Sequence, residues 1–358
     1  MILKVKLCNK KGLQMKNASK SLFSLILIVS FIFVSNIWAK ETFALNTTSL
    51  NDAKIQAVMM EAYEKFKDDN SGKNADYIQA LAKVDSKIFG IALVTADGKV
   101  FEVGDTKELV SIQSISKVFT ASLVMQEKGA KFLQEKIGVN ATGLAFNSVI
   151  AIELHGRTAS NPFVNAGAIQ SMSWVKANNS EKRWFKIKQN MDDYAGRKLP
   201  FNQKVYISEV NDNKSNQAIS KLLDANNLMG SDPLEATTVY TKQCSVNVSA
   251  HDLGMMGATL ANHGVNPITK KKVLNKEYVP KLLAVMATAG LYDNAGDWLY
   301  ATGTPAKSGV GGGILAVVPG KLSIGVVSPR LDKFGNSVRG QKAATYIINK
   351  LGLNPLAQ

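Results

Sequence analysis

Ser111-Ile-Gln-Ser-Ile-Ser-Lys-Val-Phe-Thr120 follows a strand-like hairpin and opens an apolar run with helical spacing that continues through Leu123, Val124 and Met125. We read it as a nucleophile at the start of a helix. Ser114 and Lys117 stand three apart, so a helix puts both on one face, with the amine beside the hydroxyl. A serine hydroxyl is a weak nucleophile until a base takes its proton, and a lysine serves when burial or nearby cations keep it partly neutral. The spacing alone does not decide. Ser173 and Lys176 repeat it within Gln170-Ser-Met-Ser-Trp-Val-Lys176, where the surroundings suggest only a helix with a solvated lysine.

Outward from this segment the pattern is strand, helix, strand. Upstream, Asn51 to Asp68 has helical spacing with Asp52 as its cap, and Tyr77–Ala82 reads as a short helix. Ile88–Thr95 and Lys99–Val103 flank the turn Ala96-Asp-Gly98, which predicts a hairpin. Downstream, from Ala121 to about Thr302, the spacing is largely helical, with candidate helices at 168–175, 182–191, 209–226, 233–242, 250–262 behind the cap Ser249, and 278–289. A second hairpin follows at Gly313–Val318 and Leu322–Ser328, and then a final helix over about 338–351. The expected fold is α+β: a mainly antiparallel sheet flanked by helices, with a helical lobe at roughly 121–302 inserted into the sheet lobe.

The 358 residues, 46% of them hydrophobic, suffice for a sizeable core. The formal charge of +15 owes much to Lys4, Lys6, Lys10, Lys11, Lys16 and Lys20. These precede the uncharged stretch 21–39 with its core Leu22-Phe-Ser-Leu-Ile-Leu-Ile-Val-Ser-Phe-Ile-Phe-Val34. This is the pattern of a secretory signal peptide ending near Ala39, with Met15 a second candidate start. It predicts an exported protein, periplasmic or secreted, and a single catalytic domain over 40–358; the competing reading is an uncleaved membrane anchor. No stripe of Lys and Arg with interleaved aromatics follows, which argues against nucleic acid as a partner. Beyond Cys8 in the leader only Cys244 remains, so no intramolecular disulfide is expected, and Cys244 reads as a small buried hydrophobe. His155, His251 and His263 have no metal-ligand spacing, and no Walker-type phosphate loop is present, so neither metal nor cofactor is expected.

Just before the second hairpin stands Pro305-Ala-Lys-Ser-Gly-Val-Gly-Gly-Gly-Ile314. Ser-x-x-Lys followed by Lys-Ser/Thr-Gly, in that order, marks the serine acyl-transfer enzymes built like β-lactamases and penicillin-binding proteins. The glycines let backbone approach a substrate closely. With Gln113-Ser-Ile-Ser-Lys117, Asn161-Pro-Phe-Val-Asn-Ala-Gly-Ala-Ile169, Ser208-Glu209, Asn216, Gln243-Cys-Ser245 and Gly290-Leu-Tyr-Asp293, the chain closely resembles the serine-dependent glutaminase family from about Ile55 to Leu353.

The resemblance implies a β-lactamase/transpeptidase-like fold and hydrolysis of L-glutamine to L-glutamate and ammonia, without a cofactor, by a homo-oligomer, a tetramer or a dimer. It makes Ser114 the nucleophile, Lys117 its base and Tyr292 a proton relay. It assigns Asn165, Glu209, Asn216 and Tyr240 to the substrate's amino and carboxylate groups, and the Val310 N–H to the oxyanion hole. Tyr77 resembles the family's additional active-site tyrosine, although Gln79 stands where the family commonly has proline. Glu209 and Asn216, seven apart, would share a helix face, as they also would on a merely solvated helix. Asn165 has a simpler alternative as a helix cap. Two other functions remain open: a penicillin-interacting acyl-transferase, which lacks its middle motif here, and a non-catalytic amino-acid-binding protein.

Overall fold

The two hairpins lie side by side in one sheet. The computed structural model describes residues 51–156 and 158–357, so the leader and its signal-peptide reading lie outside the described residues. In chain order come α1 (Asp52–Phe66), α2 (Gln79–Ala82), β1 (Gly90–Thr95), β2 (Val100–Gly104), β3 (Val110–Ser111) and a 3₁₀ turn over Gln113–Ile115. The middle holds α3 (Ser116–Lys128), α4 (Ala130–Lys136), α5 (Ile150–Leu154), α6 (Asn165–Trp174), α7 (Ser180–Ala195), α8 (Gln203–Val210), α9 (Lys214–Ala225) and α10 (Pro233–Cys244). Then follow β4 (Asn247–Val248), α11 (Ala250–Ala261), α12 (Val279–Ala289), a second 3₁₀ turn (Tyr292–Asn294) and α13 (Ala295–Thr302). β5 (Ala306–Gly309), β6 (Gly313–Val318), β7 (Leu322–Val327), α14 (Val338–Lys350) and a third 3₁₀ turn (Pro355–Ala357) complete the order.

Five of the strands form an antiparallel sheet in the order β2-β1-β7-β6-β5, and β3 and β4 pair separately, so the first and last hairpins join through β1 and β7, with Ile91 opposite Val326 and Leu93 opposite Ile324. Every residue of β6 and β7 is buried, which explains why both read as continuous apolar runs instead of alternating: helices cover both faces. α11 lies across β1, β6 and β7, while α1 and α14, packed on each other, cover the other side. Arg339 of α14 is almost wholly buried there. It donates to the Lys67, Ser86 and Ile88 carbonyls and to Ser328 Oγ at 2.7–3.1 Å, and lies over the Phe89 ring. A buried guanidinium is tolerated only when its donors are satisfied in this way.

The helical lobe runs from Ser116 to Thr302, with Phe119 of α3 against Tyr194 of α7 at 4.8 Å between ring centroids. The expected cap Ser249 forms a full capping box with Asp252, and Arg197 grips the same carboxylate with two bonds of 2.6 Å. One expectation fails. The helix foreseen over 209–226 is two helices, α8 and α9, broken at Asn211-Asp-Asn213, because short polar side chains compete with helical hydrogen bonding. Glu209 and Asn216 therefore do not share a helix face; they approach from separate helices.

Candidate active site

Two segments from opposite parts of the chain meet at one end of the sheet. β3 pairs with β4, the Ser111 hydroxyl donates to the Cys244 carbonyl at 2.6 Å, and the Ile112 N–H donates to Val246 O at 2.8 Å. The backbone then turns through Gln113 with φ +50°, a left-handed conformation costing a non-glycine residue roughly 1 kcal/mol or more. The 3₁₀ turn over Gln113–Ile115 runs directly into α3, so Ser114 sits at the helix start and Lys117 in its first turn. Beside it lies the edge strand β5 with Lys307 and Ser308. A Cβ on Gly309 would fall 2.6 Å from Ile112 O, and one on Gly311 would fall 2.1 Å from Ser111 O. Only glycine lets the two motifs close on each other.

Ser114 opens into a cavity of about 630 Å³ that Glu209, Asn165, Asn216, Tyr240, Val310 and Tyr77 also line. A metabolite-sized ligand fits such a volume. Lys117 and Tyr292 lie beneath it. The Lys117 Nζ donates to Asn165 Oδ1 at 2.7 Å and to the Phe163 carbonyl at 3.3 Å. Burial pushes its ammonium down to about 8, against the smaller opposing pull of the Cys244 and Glu209 charges. Asn165 is the first residue of α6 and caps nothing: its Oδ1 also accepts from the Tyr240 hydroxyl at 3.0 Å, and its Nδ2 donates to Asn216 Oδ1 at 3.0 Å.

Tyr292, at φ +54° in the second 3₁₀ turn, points its hydroxyl at the Ser308 carbonyl 3.5 Å away and interacts with Ser114. Burial pushes this phenol well above its ordinary range, and Tyr240 likewise, so both stay protonated. The Lys307 ammonium lies 4.4 Å from the Tyr292 ring centre and donates to the Gly290 and Ser308 carbonyls, both at 2.8 Å. Burial, and secondarily the charge of Lys117, hold it well below the usual lysine range.

Glu209, partly buried, accepts from Gln113 Nε2 at 2.6 Å; burial pushes its carboxyl up to about 7, although that bond and Lys117 favour the charged form. Tyr77 stands at the mouth, more than half exposed. Desolvation of its hydroxyl end, then the charges of Glu209 and Asp76, push it up to about 12.

All nine residues singled out in the sequence thus lie at or under one cavity. Others join them that sequence reasoning left without a role. Gln113 positions Glu209. Phe146 packs 4.6 Å from Tyr292 and accepts the Asn165 N–H through its carbonyl. Lys73–Ile78 and Leu331–Gly335 form facing walls, tied by reciprocal backbone bonds between Lys73 and Leu331. Cys244, buried as expected, is part of the floor, and burial pushes its thiol up to about 12. Gln113 was visible inside the Ser-x-x-Lys segment; the two walls carry no local pattern. The histidines stand apart: His251 pairs with Glu102, His155 meets the Thr142 carbonyl, and His263 is exposed.

The glutaminase family profile matches residues 72–355. A protein named glutaminase from Colwellia psychrerythraea is 52% identical over 300 residues, 84% of this chain and 96% of its own length. Glutaminase 1 of Shigella flexneri is 46% identical over 305 residues, 85% of this chain and 98% of its own. Among solved structures, one described as a probable glutaminase, ybaS, superposes with a TM-score of 0.83 at 46% identity, covering 84% of this chain and 98% of that one. Another, the Bacillus subtilis glutaminase YbgJ in covalent complex with 5-oxo-L-norleucine, gives 0.75 at 27% identity, over 85% and 99%. In sequence and in fold alike, this chain belongs to the glutaminase family.

Proposed function

We propose that the protein hydrolyses L-glutamine to L-glutamate and ammonia through an ester on Ser114. The observation that carries this reading is Ser114 opening into the cavity above Lys117, a buried amine pushed down to about 8. A neutral amine has two N–H groups and one lone pair. Phe163 O and Asn165 Oδ1 take the two N–H groups, which leaves the lone pair for a proton. Ser114 Oγ attacks the side-chain amide carbon as its proton passes to Lys117. The tetrahedral oxyanion is met by the N–H groups of Ser114 and Val310. As the C–N bond breaks, the proton returns by way of the Tyr292 hydroxyl to the leaving nitrogen and ammonia departs. Water, deprotonated by the same groups, then cleaves the γ-glutamyl ester to glutamate and free Ser114.

Glu209 supplies the acid for the substrate's ammonium, while Asn165, Asn216 and Tyr240 supply neutral polar groups for its other end. The covalent complex of the Bacillus subtilis relative fits this course, because 5-oxo-L-norleucine has its carbonyl at the carbon that bears the amide in glutamine. Two further proposals follow: the family resemblance supports assembly as a dimer or tetramer, read by light scattering, and the basic start and apolar core of the leader support export with cleavage near Ala39, read by N-terminal sequencing of the mature protein.

The test is ammonia release from L-glutamine by the protein starting at Lys40, with Ser114→Ala alongside and L-asparagine and a β-lactam as rivals. Release from glutamine that vanishes in the variant is expected. Capture of the β-lactam without glutamine turnover would move the assignment to penicillin-interacting enzymes; silence on all three would favour a binding protein.

A further inference from the structure

Tyr292 occupies a backbone conformation that its own residue type disfavours, with φ +54°, so neighbouring groups have to hold it there. Two of its anchors come from β5: Gly290 O accepts from the Ser308 N–H at 3.2 Å as well as from Lys307 Nζ. The third is a side chain from a different part of the molecule. Asn336, wholly buried, donates from Nδ2 to the carbonyl of Leu291, the residue before Tyr292, at 3.2 Å. Its Oδ1 accepts from the Ser308 hydroxyl at 2.6 Å, and Ser308 O is the group that the Tyr292 hydroxyl faces.

The backbone of Asn336 is itself fixed. The Asn336 N–H donates to Asp332 Oδ1 at 3.0 Å, and its carbonyl accepts the Asp332 N–H at 2.8 Å. Asp332 Oδ2 in turn accepts from Gln341, whose Oε1 accepts from Asn294 in the Tyr292 turn. Both ends of that turn are therefore tied to one loop. Gly335 of the same loop lies between Val310 and the Tyr292 ring, where a Cβ would meet them at 3.4 and 3.6 Å.

We propose that Asn336 is a positioning residue for the reaction: its carboxamide bridges β5 and the Leu291–Tyr292 peptide and so sets the distance from the Tyr292 hydroxyl to Ser114. This rests on the reading of Tyr292 as the proton relay. Bonds of this kind act on geometry in the transition state, not on glutamine affinity, and a displacement of about 1 Å at a reacting group costs about 10²-fold in rate.

The test compares Asn336→Ala, Tyr292→Phe and the double variant in glutamine hydrolysis. Asn336→Ala is expected to lower kcat about 10–100-fold with KM nearly unchanged. The double variant should be no slower than Tyr292→Phe alone, because a residue that acts through another adds nothing once that other is gone. A wild-type kcat in Asn336→Ala, or losses that multiply in the double variant, would overturn the proposal while leaving the relay intact. Wild-type turnover by Tyr292→Phe would instead remove the relay, and this inference with it. If Asn336→Ala fails to melt cooperatively, Asn336→Asp decides. It keeps the volume and the acceptor for Ser308, but it donates to Leu291 O only while protonated. Its kcat should therefore fall with rising pH across the carboxyl's titration, where the wild type's does not; parallel profiles would overturn the proposal.

Discussion

The chain carries the Ser-x-x-Lys spacing twice, and the two copies have opposite fates. Ser114 starts a helix, behind a residue held at φ +50°, and opens into the cavity. Ser173 lies in the last turn of α6, where its hydroxyl is consumed: it donates to Gln170 O at 2.6 Å and accepts the Gly230 N–H at 2.9 Å. Lys117 is buried and held by two oxygens, whereas Lys176 lies beyond the helix end and is exposed. The difference teaches that spacing supplies proximity only. What sets Ser114 and Lys117 apart is a hydroxyl that faces the cavity and an amine denied water.

The comparison breaks first at the serines. Ser114→Ala should lose essentially all ammonia release while still melting as the wild type does; Ser173→Ala should keep its activity. Retained turnover in Ser114→Ala would erase the distinction. Next come the lysines. A guanidinium stays charged at any working pH, so Lys117→Arg should lose about 10²–10⁴ in kcat, with Lys176→Met unaffected.

pH sharpens the contrast. With the neutral Lys117 amine as the proposed base, kcat should climb as pH rises through about 8. The stability sign follows from the same depression. Between about 8 and the ordinary 10.5 the unfolded chain holds the Lys117 proton and the native one does not. Stability from this group therefore increases with pH across that window, and Lys117→Met should flatten the rise in melting temperature.

Glu209 runs the other way. Its folded pKa, about 7 against 4.5, lets the native state bind the extra proton, so its contribution is lost as pH rises from 4.5 to 7. Glu209→Gln should melt higher than the wild type at pH 8, by up to about 3 kcal/mol of stability. Its KM should rise about 10–100-fold through loss of the proposed ammonium partner, and the kcat limb near 8 should shift to lower pH, because the Glu209 charge that favours the Lys117 ammonium is gone. The smallest effect belongs to the second copy: Ser173→Ala should cost about 1 kcal/mol in denaturant unfolding, for the N–H of Gly230 left without its acceptor.

Much of this was legible beforehand because it is local or carried by motif. Both hairpins follow from turn residues between apolar runs, the Ser249 cap from its position before a helical pattern, and the order of Ser-x-x-Lys and Lys-Ser-Gly from the chain itself. What stayed hidden is what the fold alone brings about. Asn211-Asp-Asn213 breaks a helix that the periodicity runs straight through. Phe146, Lys73 and Leu331 lie in irregular segments whose contacts are distant in sequence, and no spacing announces them. The positive φ of Tyr292 has no signature either, since tyrosine is not a residue that usually takes it.

The sheet order also has a bearing on time. Ser114 is synthesised in the first third of the chain, but β1, already paired with β2, finds its second neighbour only in β7, and Ser114 meets β5 and the Val310 amide only after the inserted helices are complete. Contacts this distant close late in folding. A chain that stops short of Val327 is therefore expected to carry every residue of the Ser114 segment without its activity, the enzyme coming into being only when its last strand is in place.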